Sequence, residues 1–576
     1  MCAKPPSRRR RTGTPTVRKV TTTSLRRGAR ALRAVAMPCL VLALAAPGGL
    51  RASTVALRPL PQAPAAESAR DSARKDEQQV AATARPNILF CIADDWGWPH
   101  ASAYGDAAVA TPAFDRVARE GVRFDRAYAA SPSCTPSRNA ILTGQFHWRL
   151  GPGANLWSSL DQAIPVFPLL LEDAGYFVGH WRKSWGPGKL EVGGYTDSHP
   201  AGASYRGLAA FLQARDKQQP DRGQSDPGQS DRDPSDRDPS DRAAPFCFWL
   251  GAHDPHRPYK AGAGKRAGID LSSIEVPPFL PDVPEVRSDL ADYYAAVQRF
   301  DRDVGQALAL LAARGELENT LVVVTGDHGM PFPRAKSHCY EMGLRVPLAM
   351  RWGSKLRAGQ IRSELVSLTD LLPTFLAAAG ARCPDPVDGR SLLSLAKPVA
   401  ATPETEEQAP PWRTAVLFGK ERHVACRPDG AGYPTRALRT DRWLYLHNFK
   451  PDRWPAGDPP LFSDTDPARR IGEGTSKGYI LTHREEPGIA ELFALSFDKR
   501  PQRELFDVQA DPFQLRNLAS HPEHAATLQK LHAQLWQELR RTADPRVIGG
   551  AERFDEYPYY GGGAYRKPSK ARKRGR

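Results

Sequence analysis

Three unbroken apolar stretches, each followed by polar and chemically able side chains, organise the middle of the chain. Asn87–Ala93 (NILFCIA) runs into Asp94-Asp95, residues 246–250 (FCFWL) are followed by His253, and residues 321–325 (LVVVT) are followed by Asp327-His328. Continuous apolar runs without alternation predict strands buried on both faces, as in a parallel sheet. Between them, helical periodicity predicts helices over 166–174, 288–314 and 368–379, closed by Gly175, Gly315 and Gly380 respectively. Alternating strands and helices predict an α/β fold. In open sheets of this kind ligands bind beyond the carboxyl ends of the strands, which is where the polar residues stand.

Beyond residue 397 a Pro/Glu-rich spacer leads to short strand-like runs at 415–418 (AVLF) and 443–446 (WLYL), then to a helical pattern over 522–541. This predicts a smaller C-terminal α+β subdomain over 397–549, after a catalytic domain over 85–396 and before a basic tail over 550–576. Residues 216–242, which repeat Ser-Asp-Arg-Asp-Pro, carry almost nothing to bury and read as a disordered, solvated insert. At the start, residues 1–33 are Arg-rich and acid-free, residues 34–46 are almost entirely apolar, and small residues follow. Residues 1–52 therefore read as an export signal, and 53–84 as a linker. The apolar run of thirteen residues is shorter than the roughly 20 needed to span a bilayer. A cleaved leader and a periplasmic or secreted protein are expected, with no stable membrane span.

Composition narrows the classes further. With 41% hydrophobic and 25% charged residues over 576 positions, neither wholesale disorder nor a polytopic membrane protein fits. The net charge of +16 sits at the two ends: residues 1–51 hold twelve Lys/Arg and residues 566–576 hold seven, with no acid in either, which leaves the rest at −3. A nearly neutral body is a poor nucleic-acid groove, so no nucleic-acid partner is expected. Eight cysteines in a chain this long do not make a disulfide framework. Cys91 and Cys247 sit inside apolar strand runs and read as small buried hydrophobes.

Cys134 stands in a different context, Ser131-Pro-Ser-Cys134-Thr-Pro136-Ser-Arg138-Asn-Ala-Ile-Leu142-Thr-Gly144. Pro136 suits a first helical turn, which places residue 134 near a helix N-terminus, where N–H groups favour an anion. Arg138, four residues on, shares its face. This run carries the C-x-P-x-R signature, and together with Asp94-Asp95 and Asp327-His328-Gly329 it resembles the formylglycine-dependent sulfatases of the alkaline-phosphatase-like superfamily. Likeness is strongest to the heparan N-sulfatase (sulfamidase)-like bacterial branch, through His253-Asp-Pro-His256-Arg-Pro258 and Asp327-His-Gly-Met-Pro-Phe-Pro-Arg-Ala-Lys336. The resemblance runs from about residue 85 to 519. It implies an alkaline-phosphatase-like sandwich with a mostly parallel central sheet and a smaller C-terminal α+β domain.

The same resemblance implies hydrolysis of sulfate esters or sulfamates, on sulfated carbohydrates. A formylglycine-generating enzyme would convert Cys134 to formylglycine (3-oxoalanine), whose hydrated aldehyde carries two hydroxyls: one attacks sulfur, and the other then expels sulfate. Arg138 would steady that diol, Lys183 and Lys336 would bind sulfate oxygens, and His256 would protonate the leaving group. His253 reads as structural or substrate-facing. Asp94, Asp95, Asp327, His328 and residue 134 would hold one divalent metal, with hard oxygens suited to Ca²⁺.

Two positions depart from the family pattern. His328 stands where Asn is usual, and imidazole nitrogen favours Mn²⁺ or Zn²⁺. The Asp-His-Gly run also resembles phosphonate monoester hydrolases, which gives a second reading as a phosphonate or phosphate monoester hydrolase with the same nucleophile. Trp185 stands where the family often has His, and offers a surface for sugar stacking. Together the departures raise a third reading, a non-catalytic sulfated-glycan-binding protein, against which intact Cys134, Pro136 and Arg138 argue. Arg257, Glu421, Arg422, His423 and Arg436 lie in polar stretches as candidates for reading the rest of a substrate.

Overall fold

Alternate residues of β1 (Asn87–Ala93) belong to different hydrophobic cores. Ile88, Phe90 and Ile92 pack into one cluster with Phe375 of helix Leu371–Ala379, whereas Leu89, Cys91 and Ala93 pack into another with Phe300 and Leu308 of helix Pro284–Ala313. Helices on both faces leave no polar side for the strand, which is why the sequence shows a continuous apolar run. The computed structural model describes residues 85–218, 244–396, 412–465 and 476–562. The leader, the linker, the 397–411 spacer and nearly all of the Asp/Ser-rich insert lie outside the described residues.

The remaining strands of this sheet are β2 (Val122–Tyr128), β3 (Phe177–Trp181), β4 (Ala203–Ser204), β5 (Phe246–Gly251), β6 (Thr320–Gly326), β7 (Arg345–Arg351), β8 (Gln360–Arg362) and β9 (Val366–Ser367). Their order is β4-β3-β5-β1-β6-β7-β2-β8, with β9 also on β2. Every pairing is parallel except the two made by β7, which runs antiparallel to β6 and β2. The predicted mixed α/β fold with a mostly parallel central sheet is present.

A second, antiparallel sheet, β10 (Ala415–Lys420), β11 (Thr435–Thr440), β12 (Trp443–Asn448) and β13 (Arg503–Asp507), follows in chain order. One face, with Val416, Phe418, Leu444 and Leu446, joins the core around Phe90. The other, with Leu417, Leu438, Tyr445 and Leu505, is covered by helix Ala525–Arg541 through Leu528, Leu531, Leu535 and Leu539, a spacing of three and four that makes one apolar stripe. The segment read as the beginning of a basic tail is folded as far as residue 562. It contains the short helix Arg553–Glu556, and Phe554 is buried against Trp148 and Ala154. Aromatic residues in that segment, not the charge beyond it, decide its placement.

Candidate active site

Strand register assembles the site. Ala93 of β1 pairs with Gly326 of β6, and Ile92 with Gly251 of β5, so Asp94, Asp327 and the loop bearing His253 and His256 leave the sheet at one edge. On the far side of β5, Trp181 of β3 pairs with Leu250, which brings Lys183 to the same edge. Close approach is needed: a Cβ on Gly326 would lie 2.1 Å from the Trp96 carbonyl oxygen, so only glycine lets the two strand ends meet. Asp95 takes a left-handed conformation (φ 72°), a cost of about 1–2 kcal/mol for a non-glycine residue. Its own N–H, donated to Asp327 Oδ1 at 2.9 Å, helps hold it there.

Cys134 is the first residue of helix Cys134–Thr143, all of which is buried. Its sulfur lies 3.4 Å from Asp94 Oδ1 and 3.2 Å from His328 Nε2. Arg138, one turn on, donates from Nε to Asp327 Oδ2 at 2.9 Å and from Nη1 to the Lys183 carbonyl at 2.7 Å. Ser137 donates to the Asp327 carbonyl at 2.5 Å and Thr135 to the Pro187 carbonyl at 2.6 Å, which locks the helix to both neighbouring loops. Lys183 Nζ reaches Asp94 Oδ2 at 2.5 Å, and Lys336 Nζ spans both oxygens of Asp95 at 2.8 and 2.7 Å. His256 presents Nε2 3.9 Å from Asp95 Oδ2, with its side chain 41% exposed, so it faces both the site and solvent.

Three buried carboxylates thus face three cations. Burial alone would raise Asp94, but Lys183, His256 and Arg138 outweigh it and hold the carboxyl well below its usual range. Asp95, likewise opposed by burial, is brought to about 2 by Lys336, His256 and His328. For Cys134, burial and then Asp94 push the thiol well above its ordinary value, which favours the neutral thiol wherever no cation is bound. A neutral thiol is a weak nucleophile. Burial also lowers His328, keeping the imidazole neutral.

Asp94, Cys134, Asp327 and His328 each present a donor atom within 4.8 Å of the others. His328 Nδ1 lies 3.1 Å from the Gly329 carbonyl and Nε2 3.2 Å from Asp95 Oδ1; with a cation between Nε2 and the carboxylates, the ring proton would sit on Nδ1 and donate to that carbonyl. This donor set fits a divalent cation, with oxygen ligands plus one oriented nitrogen. Removing either lysine leaves a buried carboxylate without its ion-pair partner and takes a cation from the cluster. Lys183→Ala and Lys336→Ala are each expected to lower kcat/KM by about 10²–10³, the loss typical of one oxyanion-stabilising group, as measured by steady-state sulfate release.

Other predicted residues have other work. Trp185 is half-buried: its indole N–H donates to Asn139 Oδ1 at 2.7 Å and its ring packs against the core, bracing the helix that starts at Cys134. Arg257 forks onto Asp289 at 2.8 and 2.6 Å, and Arg436 is shared by Asp544 and Glu421. Glu421 also accepts from Arg546, and Arg422 donates to the Tyr557 and Pro558 carbonyls. These four therefore tie loops together. His423, in contrast, reaches the site, with Nδ1 2.7 Å from the hydroxyl of Ser133, the residue before Cys134. Sequence reasoning singled out neither Ser133 nor Asn139. The only available signal was their place within the Cys134 motif.

The comparisons agree with this geometry. Residues 86–381 match the sulfatase family, and residues 326–455 match the C-terminal part of N-sulphoglucosamine sulphohydrolase. The chain is 27% identical over 493 residues to an ulvan-active sulfatase of Formosa agariphila, covering 81% of this chain and 77% of that one. It is 29% identical over 524 residues to the N-sulphoglucosamine sulphohydrolase of Homo sapiens, covering 81% and 92%. Among solved structures, a phosphonate monoester hydrolase from Silicibacter pomeroyi aligns with a TM-score of 0.54 over 81% of this chain and 97% of that one. At 19% identity this is a likeness of fold, and the sequence relatives favour sulfate over phosphonate esters and catalysis over mere binding. With its alkaline-phosphatase-like architecture and a match across residues 86–381, the chain belongs to the sulfatase family and is a sulfuric ester hydrolase.

Proposed function

We propose that this enzyme removes sulfate from sulfated carbohydrates, as an O-sulfate ester or a sulfamate, using a formylglycine made from Cys134 and a divalent cation held by Asp94, Asp95, Asp327, His328 and residue 134. The observation that carries this reading is the convergence of Cys134, three carboxylates, two lysines and an arginine at one sheet edge. Formal charges of the six ionised groups cancel, so a bound divalent cation supplies net positive charge for a sulfate group and its oxyanion. Arg138 fixes Asp327 and the helix that presents residue 134, Lys183 and Lys336 orient sulfate oxygens, and His256, open to solvent, gives a proton to the departing oxygen or nitrogen. The family resemblance favours Ca²⁺, whereas the His328 nitrogen favours Mn²⁺ or Zn²⁺.

Sulfated-glycan specificity is supported by what the relatives are named for, ulvan and N-sulphoglucosamine. Export is supported by the leader pattern of residues 1–52, and maturation then requires a formylglycine-generating enzyme before or during secretion. The deciding measurement is the mass of the tryptic peptide containing residue 134, with initial rates on N-sulfoglucosamine, N-acetylglucosamine 6-sulfate and an aryl phosphonate. An aldehyde at 134 and faster sulfate release are expected. An unmodified thiol in active protein would overturn the nucleophile, and a preference for the phosphonate would overturn the substrate class.

A further inference from the structure

The residues on either side of Cys134 are each tied to a wall built outside the central sheet. On one side Ser133 meets His423 at 2.7 Å, and the neighbouring Arg422 carbonyl accepts from Leu156 N–H at 3.0 Å. On the other, Thr135 donates to the Pro187 carbonyl, and the adjoining Lys189 N–H donates to the Ser158 carbonyl at 2.8 Å. The folded end of the chain closes these loops together. Asn155 donates to the Phe554 carbonyl at 2.8 Å, Arg422 to the Tyr557 carbonyl at 2.8 Å, and Tyr560 N–H to the Trp157 carbonyl at 2.8 Å.

Three aromatic rings with part of their surface in water, Trp157, Tyr559 and Tyr560, are thereby gathered at this rim, and the exposed Lys189 places its ammonium 5.4 Å from the Tyr560 ring centroid. Trp157 holds a left-handed backbone (φ 54°) while its carbonyl pairs with the C-terminal segment. Strain of this kind persists where the surroundings over-determine it. Half-exposed aromatic faces beside a cation match a ring that has apolar C–H faces and carries an anionic substituent.

We propose that the C-terminal segment around 557–560, with Trp157 and Lys189, forms the leaving-group subsite. Tyr560 and Trp157 would stack on the sugar that bears the scissile sulfate, and Lys189 would pair with a second sulfate or a carboxylate on the same glycan. This rests on the carbohydrate reading above. It assigns sugar recognition to residues 157, 189 and 557–560, whereas the sulfate is held by the strand-end residues.

The test compares kcat/KM for N-acetylglucosamine 6-sulfate with that for trifluoroethyl sulfate, which has a reactive sulfate but no ring. Tyr560→Ala is expected to lower the sugar-to-ringless ratio about tenfold, mostly through KM, and Tyr560→Phe to restore it, because the stacking face is worth on that order. Lys189→Gln is expected to lower kcat/KM selectively for glucosamine-2-N,6-O-disulfate relative to the monosulfated sugar. Ratios unchanged in both Tyr560→Ala and Trp157→Ala, where the wild-type protein does desulfate the sugar, would overturn the subsite alone. Wild-type protein active on trifluoroethyl sulfate but on none of the sugars would overturn the carbohydrate reading, and the subsite with it.

Discussion

Cys134→Ser is expected to fold with an unchanged unfolding midpoint and to lose multiple-turnover sulfate release by at least about 10³-fold, the order seen when an essential nucleophile is removed. Structural cost is small because the thiol makes two polar contacts, 3.4 Å to Asp94 and 3.2 Å to His328, which a hydroxyl can replace at nearly the same volume. On the proposed formylglycine chemistry, loss of function has two separate causes. A serine at 134 carries one hydroxyl where the hydrated aldehyde carries two, so a sulfated serine has no neighbouring hydroxyl to expel sulfate. Cysteine left unconverted fails differently, since it carries no diol, and burial and Asp94 push its thiol up from its ordinary value. A stoichiometric burst of product without further turnover in Cys134→Ser would match the first cause. Sustained wild-type rates in that variant would remove the diol from the chemistry.

The catalytic half of the molecule was legible because its chemistry follows directly from strand ends. Asn87–Ala93 announces a strand by its apolar run, and the next two residues must then emerge at the ligand-binding edge. The same logic placed Asp327, and the one-turn spacing from Cys134 placed Arg138. What the sequence left hidden depends on contacts between distant segments. Trp185 looks free in the chain, yet a single hydrogen bond to Asn139 makes it a brace. Among five polar candidates only His423 touches the site, and nothing local distinguishes it from Arg422 next door, whose guanidinium is consumed by backbone carbonyls. Residues 550–562 were hidden because basic residues farther on dominate the composition, whereas Phe554 and the tyrosines that follow decide where the segment packs.

Asp464→Ala is expected to destabilise the C-terminal half by about 3–5 kcal/mol, the cost of breaking a buried ion pair from one side. Asp464 is fully buried and accepts from Arg427 Nη2 at 2.8 Å, Lys420 Nζ at 3.2 Å and the Val424 N–H at 2.9 Å. The carboxylate therefore clamps the loop 420–427, which carries His423 to Ser133. Its removal strands two buried cations and frees that loop, so urea midpoint and kcat/KM should fall together. Burial would raise Asp464, yet Arg427, Lys420 and His423 hold it far below the ordinary carboxyl value. With the folded value depressed, its stabilisation is complete above the unfolded value of about 3.9 and is lost as pH falls through and below it. Wild-type protein should accordingly lose more stability between pH 5 and pH 3 than Asp464→Asn does. The triple variant Asp464→Leu, Lys420→Met, Arg427→Met separates charge from shape: it should regain most of the urea midpoint, since no uncompensated charge remains in the interior. A single Asp464→Ala variant as stable as wild type would show that the clamp contributes nothing to holding His423 against Ser133 and the Cys134 helix.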